Sequence, residues 1–167
     1  RLYGAILNPG CRFFDKRIGQ STTLTGRTIV KHMSAEVNKI ITGDYDHVGK
    51  AMIYGDTDSC YFSAYPVLKD EIAAGKIPWT KDNVITLYDQ VCEQANETFP
   101  EMMLKAFHCP KSRSDVIAAG REIVAETGLF ITKKRYAALV YDIEGFRTDE
   151  DGKLGKVKAM GLDLKRS

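Results

Sequence analysis

Asp56 and Asp58 stand one residue apart inside the run Tyr54-Gly55-Asp56-Thr57-Asp58-Ser59. Carboxylates this close repel each other, and a site that keeps both has use for a cation to share. Hard oxygen donors of this kind select Mg2+ or Mn2+. Asp-x-Asp is also what an ordinary solvated turn contains, since Asp and Thr are common turn residues. The chain holds a second copy in Asp44-Tyr45-Asp46, within Gly43 to His47, which lacks apolar β-branched flanks and reads as a connector. The first copy differs in its setting. Ala51-Met52-Ile53-Tyr54 precedes it and Cys60-Tyr61-Phe62 follows, both suited to a pleated strand, so the acids fall at the tip of a β-hairpin. A turn centred on Asp56-Thr57 would pair Gly55 with Asp58, and the missing side chain would leave room for a bulky group beside the carboxylate.

A second constellation is Lys133-Lys134-Arg135-Tyr136, three cations and an aromatic at a strand start. Such a cluster can donate to minor-groove acceptors, which are similarly placed in all base pairs and so can be read without sequence preference. A short basic run is equally a solvated surface feature.

These groups need a scaffold, and 167 residues at 44% hydrophobic composition can bury one core. The net charge of +2 sets up no global field, so any polyanion-binding face must come from local clustering. The four cysteines (Cys11, Cys60, Cys92, Cys109) are far apart with no Cys-x-x-Cys; this argues against zinc and for reduced thiols in a cytoplasmic setting. No apolar run approaches a membrane span.

Asn8-Pro9-Gly10 is a turn signal. Ile29, Met33, Val37 and Ile40 recur at helical spacing and predict a helix from about Ser21 to Thr42, capped by Ser21 or Thr22 and ended by Gly43. Residues 64–79 read as a loop with a helical turn or two. Thr80 caps a second amphipathic helix through Val84, Leu87, Val91 and Ala95; Pro100 kinks or restarts it, and Pro110 closes the element. Strands are expected at Val116 to Ala119, at Glu122 to Ala125 up to a break at Gly128, and at Tyr136 to Tyr141. Asp149 to Gly152 predicts a hairpin turn with a return strand from Val157. The resulting expectation is an α+β fold in which these strands flank the central hairpin in one antiparallel sheet, with both helices behind it.

The hexapeptide resembles the third palm motif of the family B DNA polymerases, where all six residues match. Leu2-Tyr3-Gly4 resembles the tail of the family's second motif, with Arg1 at or just before its small polar position. Lys134 and Tyr136 resemble the family's Lys-x-Tyr motif. Lys-Lys-Arg-Tyr and Met160-Gly161-Leu162, in this order, are most like the T-even bacteriophage branch.

The resemblance implies an antiparallel β-sheet palm with helices packed on one face. Residues 1–19 would end the fingers, 20–160 form the palm and 161–167 start the thumb. It implies catalytic carboxylates Asp56 and Asp58, with Asp58 the firmer metal ligand, Glu122 a nearby palm-strand acid, and two Mg2+ ions in the complete enzyme. Lys133, Lys134, Arg135, Tyr136, Lys156 and Lys158 would face primer-template DNA, while Tyr3, Gly4 and Thr57 would lie at the nucleotide and base pair. A dNTP substrate and a bacterial cytoplasmic setting, in a phage-infected host or otherwise, follow from the same likeness, as does a sliding clamp acting through the parent protein. The family takes a further aspartate and a triphosphate-binding lysine from motifs that would fall before Arg1, so the chain by itself is expected to be inactive. Two other functions stay open on the residues alone: a nucleotide-sugar glycosyltransferase, which also holds metal with Asp-x-Asp, and a non-catalytic DNA-binding module.

Overall fold

The computed structural model describes residues 2–162; Arg1 and residues 163–167, most of the expected thumb segment, lie outside it. The fold is α+β. A short helix α1 (Leu2–Ile6) and the turn through Asn8-Pro9-Gly10 lead into the long helix α2 (Lys16–Thr42). α2 begins five residues before the position that periodicity predicts, because Asp15 is the cap: its carboxylate accepts from the backbone N–H groups of Arg17 and Ile18. Threonines, weak helix formers, are accommodated inside the helix, where Thr22 donates to the Ile18 carbonyl (3.0 Å) and Thr28 to that of Leu24 (2.9 Å). Gly43 ends α2 at φ 90°, as expected.

The acidic connector that follows is held by a buried amide. Asn38 donates to Thr42 Oγ1 (3.0 Å) and to the Asp44 carbonyl (2.8 Å), and its oxygen accepts from the Ala51 N–H (3.0 Å). The chain then forms the hairpin of β1 (Met52–Gly55) and β2 (Cys60–Phe62). Three further helices follow, α3 (Tyr65–Ala73), α4 (Lys81–Glu97) and α5 (Phe99–Phe107). Thr80 caps α4 by accepting from the Asn83 N–H, and Pro100 sits in the first turn of α5. α5 closes at His108 in the left-handed region, two residues before Pro110.

Val116 to Ala119 is not a strand: a 3-10 helix covers Lys111–Val116, and the backbone runs on irregularly to β3 (Ile123–Thr132). There Asn96 takes over the pairing that a ladder would supply, donating to the Ala119 carbonyl (2.8 Å) and accepting from its N–H (2.7 Å). Gly128 does not interrupt β3. It lies beneath the Phe130 ring, which a Cβ there would approach to 2.8 Å, so the glycine makes room and the strand continues.

β3 pairs antiparallel with β4 (Arg135–Ile143), whose other edge is shared by β5 (Phe146–Arg147) and β6 (Lys156–Met160). Asp149 to Gly152 is therefore not a hairpin turn between paired strands. It is a 3-10 excursion (Glu150–Gly152) within one return path, bridged where Thr148 Oγ1 donates to the Val140 carbonyl (2.7 Å).

The expected single sheet is instead two: the β1–β2 hairpin and the sheet of β3 to β6. No backbone hydrogen bond joins them among the described residues. Aromatic rings lie between them. Tyr61 from the hairpin packs against Phe130 (5.2 Å between centroids) and Tyr136 (5.4 Å), while Tyr54 stacks on Phe130 (5.7 Å). Beside these rings a groove of about 420 Å³ runs between β2 and the start of β3.

α4 bridges the two sheets from behind. Val91 and Ala95 join Val37 of α2 over Met52 and Phe62 of the hairpin, and Val84 joins Val124 and Tyr141 of the larger sheet. The four cysteines are free thiols, Cys92 buried and the others half-buried. No helix among the described residues is long and apolar enough to cross a membrane.

Candidate functional site

The tip of the β1–β2 hairpin is tight. Gly55 pairs with Cys60, and the Asp56 N–H donates to the Ser59 carbonyl (2.9 Å), which leaves Thr57 and Asp58 at the apex. The turn is centred one residue later than Asp56-Thr57, so Gly55 does not face Asp58. The two acids consequently differ. Asp56 is half-buried, and its Oδ1 accepts from the Thr57 N–H (2.8 Å) and hydroxyl (3.2 Å). The Thr57 N–H is the main cause holding the Asp56 carboxyl below its ordinary value, and the positive charges of Lys134 and Lys133 add smaller amounts. Asp58 is exposed and accepts no hydrogen bond from the protein among the described residues.

Asp56 and Asp58 open onto a cleft of about 260 Å³ whose walls include Glu122, Tyr136, Lys158 and Met160. Glu122 precedes β3, and the register of β6 on β4 sets Lys158 opposite Ala138, so Lys158 Nζ reaches Glu122 Oε1 at 2.6 Å. Asp58 and Glu122 also line the larger groove, making its mouth continuous with the cleft.

Arg121, beside Glu122, anchors that strand start by pairing with Asp89 of α4 and with the buried Asp142 of β4. Burial works against the charge of the Arg121 guanidinium, but the two carboxylates outweigh it and raise its pKa. Lys133 and Lys134 form the two-residue turn between β3 and β4, and with Arg135 they are exposed. Tyr136 is buried, its hydroxyl accepting from that of Tyr61 (3.0 Å); burial is the first cause pushing the Tyr61 hydroxyl up, and this bond the second.

The structure thus gathers Asp56, Asp58, Glu122, Tyr136 and Lys158 around one cleft, with Thr57 at the hairpin apex. Lys156 is exposed and lies two residues from Lys158 on β6, outside the cleft lining. Tyr3 and Gly4 lie on α1, where the Tyr3 hydroxyl meets Thr23 Oγ1 (2.9 Å), and they line neither cavity. Sequence reasoning missed the aromatic group of Tyr54, Tyr61, Phe130 and Tyr136. They come one from each of four strands, and the sheet packing that joins them has no local signal in the sequence.

Among the described residues, no three His, Cys, Asp or Glu side chains are grouped as a ready metal cage. Asp58, free of protein donors, and Asp56 do suit Mg2+ in its usual mode, in which one or two carboxylates act with water and substrate phosphates. Glu122 is already paired with Lys158.

No protein-family model matches the chain. It is 29% identical over 175 residues to the DNA-directed DNA polymerase of Escherichia phage RB69, covering 99% of this chain. The DNA-directed DNA polymerase of Enterobacteria phage T4 is 26% identical over 188 residues, again across 99% of the chain. The chain is related to the family B DNA-directed DNA polymerases. DNA polymerase II of Escherichia coli K12 agrees, at 30% identity over 148 residues and 84% of the chain. The chain spans 19%, 19% and 16% of the lengths of these polymerases, so the likeness covers nearly all of the chain and under a fifth of each relative.

Proposed function

We propose that the chain is the palm portion of a DNA-directed DNA polymerase, which adds deoxynucleotides to a primer 3′-hydroxyl and releases pyrophosphate. The observation that carries the reading is the pairing of Asp56 and Asp58 at one hairpin tip, opening onto the cleft that also holds Glu122, Tyr136 and Lys158. The proposed boundaries are residues 1–19 as the end of the fingers, 20–160 as palm and 161–167 as the start of the thumb.

In this reading Asp58 offers its whole carboxylate to cations and substrate, since nothing in the protein occupies it. Asp56 stays ionised beside it because the Thr57 N–H and the nearby lysines favour the charged form. When bound, two Mg2+ ions supply a lowered pKa for the attacking hydroxyl and charge stabilisation on the leaving phosphates. Lys133 and Lys134 on the turn and Arg135 at the start of β4, all exposed, donate to the primer-template duplex, and Tyr136 backs the primer strand. Lys158 keeps Glu122 charge-compensated at the cleft wall, and Lys156 extends the same cationic edge towards phosphates. Tyr3 and Gly4 belong to the nucleotide-binding side, which the complete enzyme closes. A sliding clamp would act on the parent protein.

The test is Asp58→Ala in the complete polymerase. Primer extension with Mg2+ should be lost while duplex binding changes little, because removing a negative charge does not weaken affinity for a polyanion. Extension near the wild-type rate would overturn the reading. The 167-residue chain by itself should unfold cooperatively yet incorporate no dNTP.

A further inference from the structure

Tyr54 and Lys134 lie 80 residues apart and meet through one hydrogen bond, in which the Lys134 backbone N–H donates to the Tyr54 hydroxyl at 2.8 Å. Lys134 has φ 61°, the left-handed region that side-chain-bearing residues rarely adopt, so its conformation has to be held from outside. The grip is two-sided. Gly161, at φ 63°, lies so close that a Cβ there would come within 2.2 Å of the Lys134 carbonyl oxygen. The peptide unit before Lys134 is thus held by β1, and the one after it is abutted by the residue that follows β6.

The Tyr54 ring is itself held, stacked on Phe130 (5.7 Å, 26° between planes) and packed against Tyr61 (5.6 Å). Its hydroxyl is therefore a fixed point. Backbone conformation sets where Cβ points, and a lysine in the left-handed region sends its long stem in a different direction from one in the right-handed region. The ammonium of Lys134 is flexible, but the origin and heading of its stem are not.

We infer that Tyr54 is a positioning residue: its hydroxyl fixes the backbone of Lys134 and so aims that lysine's side chain relative to the Asp56/Asp58 tip. The consequence for catalysis rests on the polymerase reading above, whereas the consequence for the turn does not. The first residue of the acidic motif thereby sets the geometry of the basic one.

Tyr54→Phe keeps the ring and removes only the hydroxyl. In the 167-residue chain, the Lys134 amide should exchange with solvent roughly two- to ten-fold faster in the variant, the range for loss of one uncharged hydrogen bond. An unchanged Lys134 exchange rate would overturn the inference whether or not the protein is a polymerase. In the complete polymerase, Tyr54→Phe should lower the extension rate at saturating dNTP by a similar factor, about two- to ten-fold. That loss should vanish in a Lys134→Ala background, because no side chain is left to aim. A loss that persists undiminished in the Lys134→Ala background would show that Tyr54 acts through general packing, and the inference would fall.

Discussion

Replacing Arg121 by methionine tests how the start of β3, and with it Glu122, is held in place. The Arg121 side chain is 11% exposed and lies between Asp142, at 2%, and Asp89, at 44%. Asp89 is open to water, so its half of the arrangement is screened and contributes little. Asp142 is different: without the guanidinium its carboxylate keeps only the Gly145 N–H, at 3.0 Å, as a donor. Stranding a buried carboxylate in this way costs about 3 to 5 kcal/mol. For a domain of this size that corresponds to a fall in Tm of roughly 6 to 20 °C. Thermal unfolding followed by circular dichroism would read it directly. The double variant Arg121→Met/Asp142→Leu should recover much of the loss, since it removes the stranded charge, and should fall short by about 1 kcal/mol for the missing Gly145 bond. A single variant within about 2 °C of wild type, or a double variant less stable than the single one, would refute the reasoning.

The remaining expectations concern the turn, a tight contact and an acid-sensitive cluster. Lys134→Ala in the complete polymerase should slow extension by one to two decades, about 1.5 to 3 kcal/mol for a charged donor, with equal single-turnover rates returning Lys134 to the solvated surface. Gly49→Ala would place a Cβ 2.1 Å from Asn38 Nδ2, against the amide that holds the connector into β1, and should destabilise by about 1 to 3 kcal/mol in urea unfolding. Arg147 first, and Lys81 next, hold the Asp149 carboxyl well below its ordinary value of 3.8. A depressed carboxylate contributes stability that is complete above that value and lost as pH falls through the lower folded-state pKa. Asp149→Asn should therefore lower Tm at pH 7, and the two curves of Tm against pH should converge in acid below about pH 3.8; parallel curves would reject the ion cluster as their cause.

Local signals in the sequence were read well where the physics is local. Thr80, the Val84/Val91/Ala95 stripe and Pro100 delimit α4 and α5 because a cap, a helical period and a missing N–H each act within a few residues. α2 starts before Ser21 because Asp15 supplies the cap, and Gly19, a poor helix former, is buried against Leu7, where a Cβ would stand 2.0 Å from Leu7 Cδ2. Packing overrode propensity there. Sheet partnership is non-local, so alternating residues marked β1 to β4 as strands without revealing that the hairpin and the larger sheet do not pair. In the candidate site, Asp56 and Asp58 were singled out by their strand-forming flanks, since the same spacing recurs at Asp44 and Asp46, whereas Glu122 entered only through family resemblance. Its neutralisation by Lys158 follows from a β6 register that no local pattern encodes.

The separation of the two sheets also bears on mechanics. A ladder of backbone hydrogen bonds is directional and moves in whole-residue steps, since a slip of one residue reverses every side chain. The acids and the basic turn are joined otherwise, by four aromatic rings and two hydrogen bonds to or from their hydroxyls, Lys134 N–H to Tyr54 and Tyr61 to Tyr136. Ring contacts have broad, shallow preferences of geometry, so they yield to small sliding without any register being lost. The carboxylate tip and the cationic turn therefore behave as two stiff parts on a compliant bearing, whose spacing can change by small amounts without breaking a ladder.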